Sequence, residues 1–347
     1  MGASRIRLIS ALTLSLTASA AQAQLLRQRD LPDPKFPVVL ESGIFLEPNE
    51  FRPQDAIPLL RESTAGAYVT VGTERGFVSA AISNATHLIS VDMDVSVIRF
   101  NRLNTALLAA APNREAYVHL RLTSSFEEWK KASTNLASND PMRELLTNQS
   151  LWHWWNERVR HVNGSNLKNE FGDFHAQPKP GGKYDGANYL WDDKLFNKLH
   201  KMALRHKIES HLIDLRANPR LEELVKAINQ GTDAPTQLSV LDISNAWNPR
   251  DFLSPAQLAD MLRVFSHAAN PRSLLLATRL YNGSKGPEWS YVTKRFSEFD
   301  PSKANVDDWF NFSSPAAFIK YCGRGLLNRV LKAAQKTTLK LPAPDQK

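Results

Sequence analysis

The stretch that most constrains the fold runs from Ala67 to Asn104, AYVTVGTERGFVSAAISNATHLISVDMDVSVIRFNRLN. Tyr68 to Val71 is short, apolar and β-branched, the pattern of a strand buried on both faces. Gly72, Thr73, Glu74, Arg75 and Gly76 follow as a turn, Phe77 to Ile82 as a helix, and His87 to Val91 as a second strand. That strand closes on Asp92, twenty residues after Gly72. The order predicts a nucleotide-handling β-α-β unit in which the Asp92 carboxylate accepts hydrogen bonds from the two hydroxyls of a ribose.

Each glycine has a physical task. Gly72 lets the backbone leave the strand sharply without a Cβ clash, and Gly76 permits close approach of a ligand or close packing of helix on strand. The first amides of the following helix favour a carboxylate or phosphate. The middle glycine of a dinucleotide fingerprint is absent, and the bulky Glu74 and Arg75 in its neighbourhood count against NAD or FAD.

Val71, Gly72 and Thr73 through Gly76, followed by Val91, Asp92, Met93 and Asp94, resemble motif I and the acidic strand end of class I S-adenosylmethionine-dependent methyltransferases. The resemblance implies a methyltransferase-like Rossmann core with S-adenosylmethionine as cofactor. Gly72, Thr73 and Gly76 would border its methionine part, Asp92 would hold its ribose, and Asp214, closing the third strand, would stand where adenine-contacting acids occur. Thr70 departs from the pattern, standing where the family usually has Asp or Glu. With Asn101 to Asn104 and Tyr117 to Leu122 included, the chain also resembles exported bacterial proteins with this core and, more loosely, enzymes that transfer the aminocarboxypropyl arm of the same cofactor to lipids.

Residues 1–23 read as a secretory signal peptide: Arg5 and Arg7 without an acid, an apolar run from Leu8 to Ala18, and small residues at Ala21 and Ala23. The run is too short for a permanent membrane helix, so an exported protein, periplasmic or secreted, without a transmembrane anchor is expected. Cys322 is the only cysteine, which rules out an internal disulfide. The net charge of +8 comes without a basic run interleaved with aromatics, so nucleic acid is not an expected partner.

Residues 24–64 read as a lead-in and cap, 65–122 as the first half of the core, 123–190 as a helical and loop insertion, 191–300 as the second half and 301–347 as a helical tail. Further strands are expected at Ile208 to Leu215, Leu238 to Ile243 and Ser273 to Thr278, alternating with helices over Lys194 to Arg205, Arg220 to Gln230 and Pro255 to Ala268. That alternation predicts an α/β, doubly wound, mostly parallel sheet, closed by an antiparallel element near Trp289 to Phe299. The insertion carries Trp152, Trp154 and Trp155, which read either as a lid or substrate pocket or as a small satellite core. His153, His161, His175 and Asp173 lack metal-ligand spacing, so no metal is expected.

The loop after the fourth strand opens on the same cleft as Gly72. There Asp242 is a candidate to orient or deprotonate a nucleophile, Asn245 to hydrogen-bond it, and Trp247 to pack on a flat group or cation; strand-end capping explains Asp242 and Asn245 equally well. No G-x-S-x-G, P-loop or paired thiol and imidazole occurs, which leaves hydrolase and kinase chemistry without support. Two readings follow: an exported, methyltransferase-like protein that transfers a group to a small-molecule or lipid-like acceptor, or a non-catalytic exported Rossmann-like binding protein.

Overall fold

The computed structural model describes residues 41, 46, 53–160, 187–230, 237–247, 253–283 and 286–296. The expected signal peptide, His161, Asp173, His175, Cys322 and the expected C-terminal helix lie outside the described residues. In chain order the elements are α1 (Ile57–Arg61), β1 (Ala67–Thr70), α2 (Glu74–Ile82), β2 (His87–Asp92), α3 (Val95–Ala110), α4 (Arg114–Leu122), α5 (Phe126–Ser133), α6 (Pro141–Thr147) and α7 (Gln149–Trp155). After a π-turn at Asn156–Arg160 come α8 (Asp193–Leu204), β3 (Ile208–Leu212), α9 (Asn218–Asn229), β4 (Leu238–Asp242), α10 (Pro255–Ser266), β5 (Ala269–Gly283) and β6 (Gly286–Arg295).

The strands form one sheet in the order β3-β2-β1-β4-β5-β6, parallel except for β6, which runs antiparallel to β5. This is the doubly wound architecture that the alternation predicts. All four residues of β1 are buried because helices cover both faces. With period-two alternation, Tyr68, Leu88 and Val240 enter the core under α2, α3 and α8, while Ala67, Val69, Ile89 and Leu241 enter the core under α9 and α10.

Local signals set the helix starts. Asp94 caps α3 by accepting from the Ser96 amide at 2.8 Å, and Ser125 with Glu128 forms a capping box on α5. Asp140 caps α6 with Pro141 at its first position.

Several boundaries differ from expectation. Helix α2 starts at Glu74 rather than Phe77, because the supposed turn residues Glu74 to Gly76 already form its first turn. Strand β3 stops at Leu212, and β5 runs to Gly283 because β6 pairs with it along ten positions from Leu274 to Gly283.

The described part of the tryptophan-bearing insertion joins the main core rather than forming a satellite one. Trp155 and Trp129 are fully buried in the same cluster as the sheet face, and Trp155 stacks on Phe100 of α3 with ring centroids 5.2 Å apart. Trp152 and Trp154 are half-buried against that cluster. Burying these large rings lets α4 to α7 extend the core outward from α3.

Candidate functional site

The strand order reverses direction between β1 and β4, so a cleft opens beyond their C-terminal ends, where open α/β sheets take their ligands. Gly72 stands there with φ +81°, a conformation that side-chain-bearing residues rarely adopt, and a Cβ added to it would meet open space. Its N–H donates to Asp92 Oδ2 at 3.1 Å, and the Asp94 N–H donates to Oδ1 at 2.9 Å. The Gly72 carbonyl accepts from Asn101 Nδ2 at 2.9 Å. The turn and the strand-end acid are therefore one hydrogen-bonded unit.

Asp92 is only partly accessible, and burial pushes its carboxyl up to about 7; the nearby Asp94 charge adds to the rise, and the amide bonds from Asp94 and Gly72 oppose it. Backbone amides of Gly72, Met93 and Asp94 reach the carboxylate, which with two oxygens and about four lone-pair positions keeps accepting capacity.

Gly76 answers to packing. Inside α2, an added Cβ would lie 2.5 Å from Thr70 Cγ2, so the missing side chain is what lets the helix sit on β1. Thr70 turns its hydroxyl back to the Val71 carbonyl at 3.0 Å. Thr73 is buried, and its hydroxyl donates to the Leu46 carbonyl at 2.8 Å, tying the lead-in to the turn.

Glu74 and Arg75 point inward rather than into the ligand space. Glu74 accepts from Arg121 Nη2 at 2.8 Å and the Tyr189 hydroxyl at 2.5 Å. Arg75 donates to Ser244 Oγ at 3.2 Å and lies over the Tyr291 ring. The bulk that argued against a close ligand at the turn is thus directed into the core.

Asp214 lies two residues beyond β3, beside the Ile213 amide that donates to the Asp92 carbonyl at 2.9 Å. Its carboxylate takes both Nε and Nη2 of Arg216, at 2.9 and 2.5 Å. It shares the sheet edge with Asp92 but faces a fixed cation.

Asp242 departs most from the sequence reading. It is buried, with Oδ2 accepting from the hydroxyls of Tyr68 at 3.0 Å and Tyr291 at 3.3 Å, and Oδ1 accepting from the Ser244 N–H at 3.0 Å. Burial raises its carboxyl above the usual range against the pull of Arg75, and burial likewise raises the Tyr68 hydroxyl well above its ordinary value. Ser244 holds φ +48°, a strained conformation for a residue with a side chain. Asn245 beside it is half-exposed, with Oδ1 3.5 Å from Ser244 Oγ. Trp247 offers no face to a ligand: it is buried and donates its indole N–H to the Thr278 carbonyl at 2.8 Å.

The structure therefore brings Gly72, Thr73 and Asp92 together at the turn, places Asn245 at the rim, and sets Gly76 and Asp242 beneath. Sequence reasoning missed Asn101, Ser90 and Tyr68 as parts of the site. The signal for Asn101 was two asparagines, Asn101 and Asn104, within the otherwise apolar run of α3, both fully buried.

The residues present fit the sugar half of a nucleoside ligand, with Asp92 as acceptor and open space over Gly72. A separate cavity of about 430 Å³, lined by Leu59, Ser63, Asn84, Arg272 and Arg295 among others, lies at the opposite edge of the sheet, away from these groups.

Two solved structures of the rRNA methyltransferase aviRa from Streptomyces viridochromogenes align with 80% of this chain and 92% and 94% of that chain, at 14% and 16% identity and a TM-score of 0.34 in both cases. No curated protein matches. Over residues 45–313, more than half of its length, the chain matches the model described as "Domain of unknown function (DUF7790)", and it belongs to that family.

Proposed function

We propose that this chain binds a nucleoside at the switch point between β1 and β4, that S-adenosylmethionine is that ligand, and that the protein is exported and transfers a group to a small or lipid-like acceptor. The observation that carries the reading is the coupling of Gly72 to Asp92: an open, positive-φ turn hydrogen-bonded to a partly accessible carboxylate at the end of the neighbouring strand. The bound cofactor would supply an activated alkyl group on sulfur. The chain's part is to accept the ribose hydroxyls on Asp92 and to hold the turn open. Residues 1–23 support export through their charge and apolar pattern.

A second reading, binding without transfer, is favoured by Asp242. The carboxylate that the sequence nominated to prepare a nucleophile is enclosed by Tyr68, Tyr291 and the Ser244 amide.

Calorimetric titration of residues 24–347 with S-adenosylmethionine and its demethylated product tests the first reading. The wild type is expected to bind in the micromolar range, about −8 kcal/mol. Asp92→Ala is expected to weaken binding by about 100-fold or more, since each hydrogen bond to a charged group contributes about 1.5–3 kcal/mol. No heat and no thermal shift with either nucleoside would sink it.

The raised Asp92 carboxyl adds a pH signature. Its folded-state value of about 7 exceeds its ordinary one, so ionising Asp92 disfavours the free folded protein increasingly from about pH 4 to 7. Two ribose hydroxyls donating to the ionised form pull the value back down. Binding near pH 7 should therefore release a proton, and affinity should rise with pH until it levels off above 7. Titration in buffers of differing ionisation enthalpy reads the proton directly; heats independent of buffer would refute the assignment.

A further inference from the structure

Asn101 breaks a rule of protein interiors. Its side chain is fully buried, Nδ2 donates to both the Gly72 carbonyl at 2.9 Å and Ser90 Oγ at 2.6 Å, yet Oδ1 is enclosed with no hydrogen-bond partner among the described residues. A buried acceptor left unmade is a standing cost to stability, and native proteins retain few of them. The position lies on the second turn of α3, in a run that also buries Phe100 and Leu103, where an apolar residue would be the ordinary choice. The amide there makes two hydrogen bonds that an apolar side chain could not.

Gly72 is the residue whose positive φ opens the turn, and both of its polar groups are held: the N–H by Asp92 Oδ2 and the carbonyl by Asn101 Nδ2. Ser90 completes the arrangement from β2, accepting from the same Nδ2, with its hydroxyl 3.5 Å from the Gly72 carbonyl. A flexible glycine between a strand and a helix samples many conformations, and clamping its peptide groups removes them before a ligand arrives. Fixing Gly72 also fixes the direction from which its N–H meets Asp92, and so the orientation of the carboxylate.

We infer that Asn101 is the positioning residue of this site: it trades stability for a pre-set glycine turn and thereby aims Asp92 at the hydroxyls of a nucleoside sugar. The inference rests on the nucleoside reading proposed above. It commits to a ligand with a vicinal diol, since the turn presents a carboxylate in a fixed direction.

The test separates stability from binding. Asn101→Leu removes the clamp and the orphaned oxygen together, and the Ser90 hydroxyl, already 3.5 Å from the Gly72 carbonyl, is left to donate to it, so the melting temperature is expected to stay within about 4 °C of wild type. Its affinity for S-adenosylhomocysteine, used as the probe, is expected to fall about ten-fold or more through lost pre-organisation. Asn101→Asp removes the donor and sets a carboxylate against the Gly72 carbonyl; it should fall at least as far in affinity. A 2′-deoxy analogue of the probe should bind wild type more weakly and gain little from the clamp, so the penalty for Asn101→Leu should shrink with it. Wild-type binding with an unchanged Asn101→Leu affinity overturns this inference alone, as does a parallel loss of melting temperature and affinity, which marks Asn101 as structural. A wild type that binds no nucleoside overturns it together with the proposed function.

Discussion

Arg121→Ala is expected to destabilise the protein by about 3–5 kcal/mol, the range for removing one partner of a buried ion pair. Arg121 is fully buried in α4 and its guanidinium is divided among four acceptors. Nη1 donates to Asn104 Oδ1 and the Tyr117 hydroxyl at 2.6 Å each and to the Tyr189 hydroxyl at 3.1 Å, while Nη2 donates to Glu74 Oε2 at 2.8 Å. Phe100 and Trp155 lie with ring centroids 5.5 and 5.7 Å from its central carbon. Burial alone lowers the guanidinium, and Glu74, Tyr117 and Tyr189 more than reverse this, so it is held above its ordinary value. Burial likewise pushes the Tyr117 hydroxyl up to about 12.

Truncation would strand the Glu74 carboxylate, itself buried, and open a cavity among the rings. The double variant Glu74→Gln with Arg121→Met should recover much of the loss, because it removes both charges and keeps volume. Chemical denaturation of the single and double variants measures both. A loss below about 1 kcal/mol for Arg121→Ala would show that the network adds nothing net. Because Glu74 opens α2 and Arg121 lies on α4, the same pair fixes the helix that follows the Gly72 turn to α4.

Asp242→Ala is expected to cost about 2–4 kcal/mol. The Tyr68 hydroxyl and the Ser244 N–H are buried and would each lose their acceptor, at about 1–3 kcal/mol for an unsatisfied buried group. Asp242→Asn keeps an acceptor and should cost far less. It should also change the pH response. The Asp242 carboxyl is raised in the folded protein, so its contribution to stability is fully present at low pH and declines as pH rises above its ordinary value of 3.8. The neutral asparagine lacks that decline, and the stability difference should move in its favour from pH 4 upward. Urea unfolding across that range checks it; a difference that moves toward wild type with rising pH would reverse the assigned direction.

Much of this molecule is legible along the chain. The apolar run ending at Gly72 and the strand closing on Asp92 placed β1 and β2 to within a residue. Each of these is decided within about ten residues, by backbone conformation, caps and the two periodicities that bury one face of an element. What Glu74, Asp242 and Trp247 do was not legible. The sequence shows a bulky turn residue, a strand-end acid and an aromatic loop residue, and those types suit a ligand as well as a core.

The sequence by itself determined the doubly wound order of strands and helices, the glycine that needs a positive φ and the acid at the end of β2. Only the tertiary structure decided which polar groups face the cleft. Tyr68 meets Asp242 across 174 positions of chain, Glu74 meets Arg121 across 47, and Asn101 reaches Gly72 across 29. Buried polar groups take whichever partner the packing of distant elements brings within about 3 Å, because leaving one unpaired costs stability, and no local pattern encodes that choice.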